Sequence, residues 1–130
     1  MKTKKSTIEQ VREFHEAFGV KNEPAPTLSD KKTRQLRVAL IQDELYELYK
    51  ALEDENMVEV LDALVDLEYV IQGAYLQFGL AFLKDSAFNE VHRSNMSKLD
   101  ENGKAVIAPN GKVLKSKLFT PPDLNQFLTK

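Results

Sequence analysis

The chain has 130 residues, 42% of them hydrophobic, with a formal charge of -2 and a pI near 5.7. That is the size of one ordinary domain with enough apolar content for a core, and its acidic balance argues against broad nucleic-acid binding. With no cysteine there is no disulfide framework, thiol nucleophile or cysteine-based zinc site, which fits a reducing cytoplasm.

No apolar run approaches the roughly 20 residues that span a bilayer, and the lysines of "MKTKKSTIEQ" precede no apolar signal-peptide core. The expectation is a single cytoplasmic domain over residues 1–130, without internal repeats and with neither membrane nor nucleic acid as a partner.

Ser6 and Glu9 have capping-box spacing, Val11, Phe14 and Phe18 form an apolar stripe and Gly19 is a stop, which predicts a first helix over 7–18. The segment "GVKNEPAPTLSD" reads as a loop. A second helix is predicted from Ser29 or Asp30 to about Glu53, with Val38, Ile41, Leu45, Leu48 and Leu52 as its apolar stripe. A third runs from Asn56 to just before Gly79. A fourth covers about 85–97 with Phe88, Val91, Met96 and Leu99 facing inward. The Asn102-Gly103 and Asn110-Gly111 pairs then mark turns and a small hairpin, and "TPPDL" suggests a short proline-initiated terminal helix. The fold class is all-α, a four-helix bundle-like core with a turn-rich tail.

Within "EVLDALVDLEYVIQG" three acids recur at spacings of three and four. Placed on a wheel at about 100° per residue, Glu59, Asp62 and Asp66 fall within about 60° of one another, between two apolar flanks. None has a Lys or Arg three or four residues away on its own helix. A carboxylate withdrawn from water either protonates or finds a cation, so neutralisation has to come from outside the helix. The second helix offers more acid in Asp43, Glu44 and Glu47. A connection of a few residues around Asp54 favours antiparallel packing, which lets the two acidic seams meet in a carboxylate cage. Such a cage suits Mg²⁺ or Mn²⁺, with substrate phosphates completing the coordination.

Plainer readings stand beside this one. Glu59 lies three residues after Asn56 and serves equally as the distal half of a capping box. Glu47 has Lys50 within pairing distance on its own helix, and Asp43 suits a solvent-facing position. Asn95 falls on the apolar side of the fourth helix, where it either caps the helix end or binds a ligand. His92 reads as a semi-buried structural histidine. Arg93, Asn95 and Lys98 together offer donors for phosphate oxygens, to which the tail lysines Lys112, Lys115 and Lys117 add charge.

"DELYE" followed by "EVLDALVDLEYV" resembles the all-α nucleoside triphosphate pyrophosphohydrolases, the MazG-like group that includes dimeric dUTPases and phosphoribosyl-ATP pyrophosphohydrolase. The likeness extends along most of the chain, and "VREFHEAFG", "EVHRSNMSK", "NGKVLK" and "TPPDL" resemble the small dUTPase-like branch. The family pattern is EExxE, then ExxD on the next helix. Asp43, Glu44 and Glu47 match the first element with Asp in place of its leading Glu. For the second, one alignment uses Glu59 and Asp62; another takes Asp66 as the Asp, leaving Ala63 at the Glu position and Asp62 as substitute. Asp62 and Asp66 are preferred, with Glu59 as a further ligand.

The resemblance implies Mg²⁺-dependent hydrolysis of a nucleoside triphosphate to monophosphate and pyrophosphate, through attack of water at the α-phosphorus. It implies Glu44, Glu47, Asp62 and Asp66 as metal ligands and Asp43 or Glu47 as the group that takes the water proton. Arg93, Asn95, Lys98 and Lys115 are implied as substrate contacts, and a homodimer or homotetramer as the assembly. Two other classes are weighed. A di-iron bundle needs Glu-x-x-His pairs, and neither His15 nor His92 has a Glu three residues before it. A non-catalytic helical interaction protein would instead pair its carboxylate cluster with partner lysines.

Overall fold

Three helices begin at a side chain that accepts one of their unpaired amides. In the computed structural model, which describes residues 4–129, Ser6 Oγ accepts from the Glu9 N–H (3.3 Å), Asp30 Oδ1 from Thr33 (2.8 Å) and Asn56 Oδ1 from Glu59 (3.2 Å). These caps open α1 (Thr7–Phe18), α2 (Lys31–Glu53) and α3 (Met57–Gln77). The first helix stops at Gly19, whose φ of 72° is the left-handed geometry of a helix C-cap. A fourth helix, α4 (Lys84–Met96), has no side-chain cap and follows a 3₁₀ turn at Ala81–Leu83. Strands β1 (Val106–Ile107) and β2 (Val113–Leu114) pair antiparallel, Val106 opposite Leu114, across the Asn110-Gly111 turn. The fold is all-α with one small hairpin. The terminal helix expected after "TPPDL" is a single 3₁₀ turn, Asn125–Phe127. No helix among the described residues is long and apolar enough to cross a membrane.

The chain forms two compact units, one ending at Ala81 and the other starting at Phe82. In the first, α2 and α3 make an antiparallel hairpin around Asp54, Glu55 and Asn56, closed by the Asn56 N–H on the Ala51 carbonyl (3.1 Å). Small side chains, Ala51 and Ala63, are buried where the helices approach. α1 lies against α3 through buried Val11 and His15, with Phe14 edge-on to Tyr69 (5.7 Å between centroids). The loop after α1 satisfies carbonyls at the end of α3: Glu23 N–H donates to Leu76 O (3.1 Å) and Thr27 N–H to Phe78 O (2.9 Å).

At the meeting of these three helices sits a polar core. Arg37 of α2 donates its Nε–H to Gln77, its Nη1 to the Val70 carbonyl (3.4 Å) and its Nη2 to His15 Nε2 (3.3 Å). His15 Nδ1 lies 2.6 Å from Asn22 Oδ1. Burial, opposed by the Asn22 contact and aided by Arg37, lowers the His15 pKa from its ordinary value. This arrangement keeps the imidazole neutral, as it must be to accept from a guanidinium.

Only part of the expected stripe of α2 is withdrawn from solvent: Ile41 and Leu48 are half-buried. Val38, Leu45 and Leu52 are each more than half exposed, because the α3-facing line of α2 is taken by Arg37, Glu44 and Ala51. In the second unit Phe88 (70% exposed) and Met96 (51%) also point outward, contrary to expectation. There α4 turns Glu90, Ser94 and Ser97 toward the tail. Ser94 Oγ donates to Thr120 O (2.9 Å), and Ser97 Oγ accepts the Thr120 N–H (2.9 Å). An extended segment presents bare backbone groups, and hydroxyls satisfy them where apolar side chains cannot.

Gly73 is what leaves room for Arg37, since a Cβ there would stand 2.5 Å from Arg37 Nη1 and 3.1 Å from His15 Nε2. Gly73→Ala is therefore expected to lower stability by about 2 kcal/mol, the scale of an overpacked core, despite its better helix propensity. Urea denaturation of the two proteins measures it.

Candidate functional site

The acids lie on the hairpin of the first unit. On α3, Asp66 shares the α2-facing line with buried Ala63 and Gly73, and Asp62 stands about 40° beside it on the wheel. On α2, Glu44 lies seven residues after Arg37 and seven before Ala51, on the same line. Glu44 and Asp66 are half-buried, whereas Asp43, Glu47, Glu59 and Asp62 are exposed.

Burial, and then the charges of Asp66, Glu47, Asp62 and Asp43 in that order, push the Glu44 pKa up from its ordinary value. Of the acids selected from the sequence, only Glu59 is not among those acting on Glu44. The Glu59 N–H is the amide capped by Asn56, as its capping-box spacing suggests. Among the described residues none of these acids pairs with Lys or Arg, Glu47 with Lys50 included.

Carboxylate oxygens with an excess of negative charge are the donor chemistry of a hard divalent cation. The side chains are not gathered into a preformed cage, however. Among the described residues no three His, Asp or Glu groups stand close enough together to hold a metal ion. Asp43, Glu47 and Asp62 are exposed on the hairpin, so the donor chemistry suits such an ion while the side chains stand apart.

The expected substrate contacts fall in the second unit. Arg93 is engaged there: it donates Nε and Nη2 to Glu90 (2.7 and 2.9 Å), Nη1 to Thr120 Oγ1 (2.6 Å) and Nη2 to Pro121 O (3.2 Å). Arg93 and the Asp123 N–H together hold the pKa of the Glu90 carboxyl down to about 2. Asn95 is exposed rather than turned to an apolar core, and Lys98 is half-buried. Lys115 places its ammonium 4.7 Å from the Phe119 ring centre and lines a groove of about 270 Å³ with Asp100, Ser116 and Lys117.

Arg37 is not marked by its sequence context. Its signal is positional: it lies two turns before Glu44 on the same face of α2, where an amphipathic reading assigns no charge.

The family model described as phosphoribosyl-ATP pyrophosphohydrolase matches residues 11–95, from α1 through nearly all of α4. The chain belongs to that family. It is also similar to an uncharacterized protein of Acanthamoeba polyphaga mimivirus, 30% identical over 106 residues. That alignment takes in 76% of this chain, and the chain spans 41% of the length of the relative.

The Glu90–Arg93 pair ties α4 to the tail, so Glu90→Gln is expected to speed amide exchange at Asp123 and Thr120 at least several-fold while leaving α1–α3 unchanged. Hydrogen exchange read by mass spectrometry checks this.

Proposed function

We propose that the chain hydrolyses a (deoxy)nucleoside triphosphate to the monophosphate and pyrophosphate with Mg²⁺ or Mn²⁺, a cytoplasmic housecleaning of the nucleotide pool. The observation that carries the reading is the placement of five acids, Asp43, Glu44, Glu47, Asp62 and Asp66, on the facing helices of one hairpin, none of them ion-paired with Lys or Arg among the described residues. Family membership supplies the chemical class.

Glu44, Glu47, Asp62 and Asp66 would hold the metal, with Glu59 as a further ligand. Bound there, the cation would neutralise phosphate oxygens as charge develops on them. Exposed Asp43 or Glu47 would accept the proton of the attacking water. Asn95, Lys98 and Lys115 are proposed as phosphate contacts, and Arg93 with them, although its guanidinium already serves Glu90 and the tail. The alternative, a structural carboxylate cluster in a non-catalytic interaction protein, requires countercharges for these acids, and none is found among the described residues.

A homodimer or homotetramer forms part of the proposal. Val38, Leu45 and Leu52 on α2 and Leu61 and Leu64 on α3 are all at least half exposed, and water contact for so many large side chains is costly. A second copy of the hairpin would cover them.

Incubation with nucleoside triphosphates and Mg²⁺ is expected to yield monophosphate and pyrophosphate in equal amounts. Orthophosphate as the primary product would refute attack at the α-phosphorus. Asp66→Asn preserves shape while removing one of the charges acting on Glu44. It should leave stability without added metal equal or slightly higher, weaken Mg²⁺ binding and reduce turnover by orders of magnitude, on the order of 100-fold or more. Thermal melts with and without Mg²⁺, read beside turnover, check it: marked destabilisation without metal combined with normal turnover would favour the structural cluster.

A further inference from the structure

A groove of about 330 Å³ runs between α1 and α3, lined by Gln10 and Val11 on one side and by Val65, Glu68, Tyr69 and Gln72 on the other. Its floor is apolar and buried at Val11, and its polar wall is anchored by buried Gln72, with Glu68 and Tyr69 exposed at the rim. Gln72, 5% exposed, donates to Glu68 Oε2 (2.9 Å) and exchanges hydrogen bonds with Thr7 Oγ1. That donation orients the Glu68 carboxylate, which pairs with no Lys or Arg among the described residues. Tyr69 is held by the edge-on contact with Phe14, itself stacked on Phe18 (4.4 Å).

The groove adjoins the acidic seam. Val65 follows Asp62, and Tyr69 follows Asp66, by three residues, which makes each pair neighbours on the helix surface at about 5–6 Å between Cβ atoms. A single sugar separates the α-phosphate of a nucleotide from its base, a span on the scale of one helical turn of about 5.4 Å. A phosphate held at Asp66 thus brings a base within reach of Tyr69.

Resting on the triphosphate hydrolysis proposed above, we infer that this groove receives the nucleobase, stacked on Tyr69, and that Glu68 selects bases bearing an exocyclic amino group. An aromatic ring offers any base a stacking face. The carboxylate supplies discrimination, because it only accepts hydrogen bonds. The amino group of cytosine donates to it. Uracil carries a carbonyl at that position, and its single ring N–H is flanked by two carbonyl oxygens, so an acceptor meets an acceptor and the hydrogen bond made by cytosine is missing.

Cytosine and uracil nucleotides differ only in the group at C4 and in the hydrogen on the adjacent ring nitrogen, which makes them the probe. Calorimetric titration of the full chain with dCMP and with dUMP, in Mg²⁺, is expected to give at least about tenfold tighter binding of dCMP. Glu68→Gln, whose amide both donates and accepts, should bring the ratio close to one while leaving the melting temperature unchanged. Tyr69→Ala should weaken both ligands about tenfold, and Tyr69→Phe should restore them. Equal or tighter binding of dUMP, or a ratio that Glu68→Gln leaves unaltered, overturns the inference. Turnover of dCTP reports separately on the proposed function: selective dCMP binding without any pyrophosphate release would retain the base pocket and discard the hydrolysis.

Discussion

A guanidinium buried without a carboxylate partner governs how the first unit is put together. Arg37 is 7% exposed, and among the described residues its donors go to neutral groups: an amide, a carbonyl and an imidazole nitrogen. They come from both α1 and α3, so satisfying the one cation fixes α1 against α3 and sets the register of α2 along α3. Burying a charge this way is expensive unless its hydrogen bonds are made, and the missing side chain at Gly73 is what allows them.

That register carries the acids with it. Because Glu44 follows Arg37 by two turns and Asp66 precedes Gly73 by about two, the contact that seats the cation at one end of the hairpin also sets Glu44 against Asp66 further along. The two clusters have opposite character: one is a buried positive charge in neutral company, the other a half-buried Glu44 whose pKa is raised first by burial and then by the negative charges around it.

Helix positions were legible in the sequence because capping and stop signals are local. Ser6, Asp30, Asn56 and Gly19 act within four residues of themselves, and the structure uses all four. The shared side of Asp62 and Asp66 was legible too, since α3 runs unbroken through both and helical spacing does the rest. Facing directions were less so. Val38, Leu45 and Leu52 make a regular stripe, yet regularity names a face without naming what covers it, and here small residues and Arg37 take the line toward α3. Phe88 misled for a similar reason: α4 packs on an extended tail, and the pairing of Ser94 with Thr120 26 residues away leaves no periodic trace. The groove beside Tyr69 depends on α1 meeting α3, a long-range contact that local pattern does not encode.

The three-residue turn at Asp54, Glu55 and Asn56 has a consequence for how such a chain tolerates changes of length. An added residue in the Asn110-Gly111 hairpin alters only a surface loop. One added inside α3 between Asn56 and Asp62 would turn every later side chain by about 100° relative to the cap, moving Asp66 off the side that faces α2 and Gly73 off Arg37 at once. Insertions and deletions should therefore accumulate in the tail and be excluded from the hairpin's helices, where the count of residues is itself the ruler.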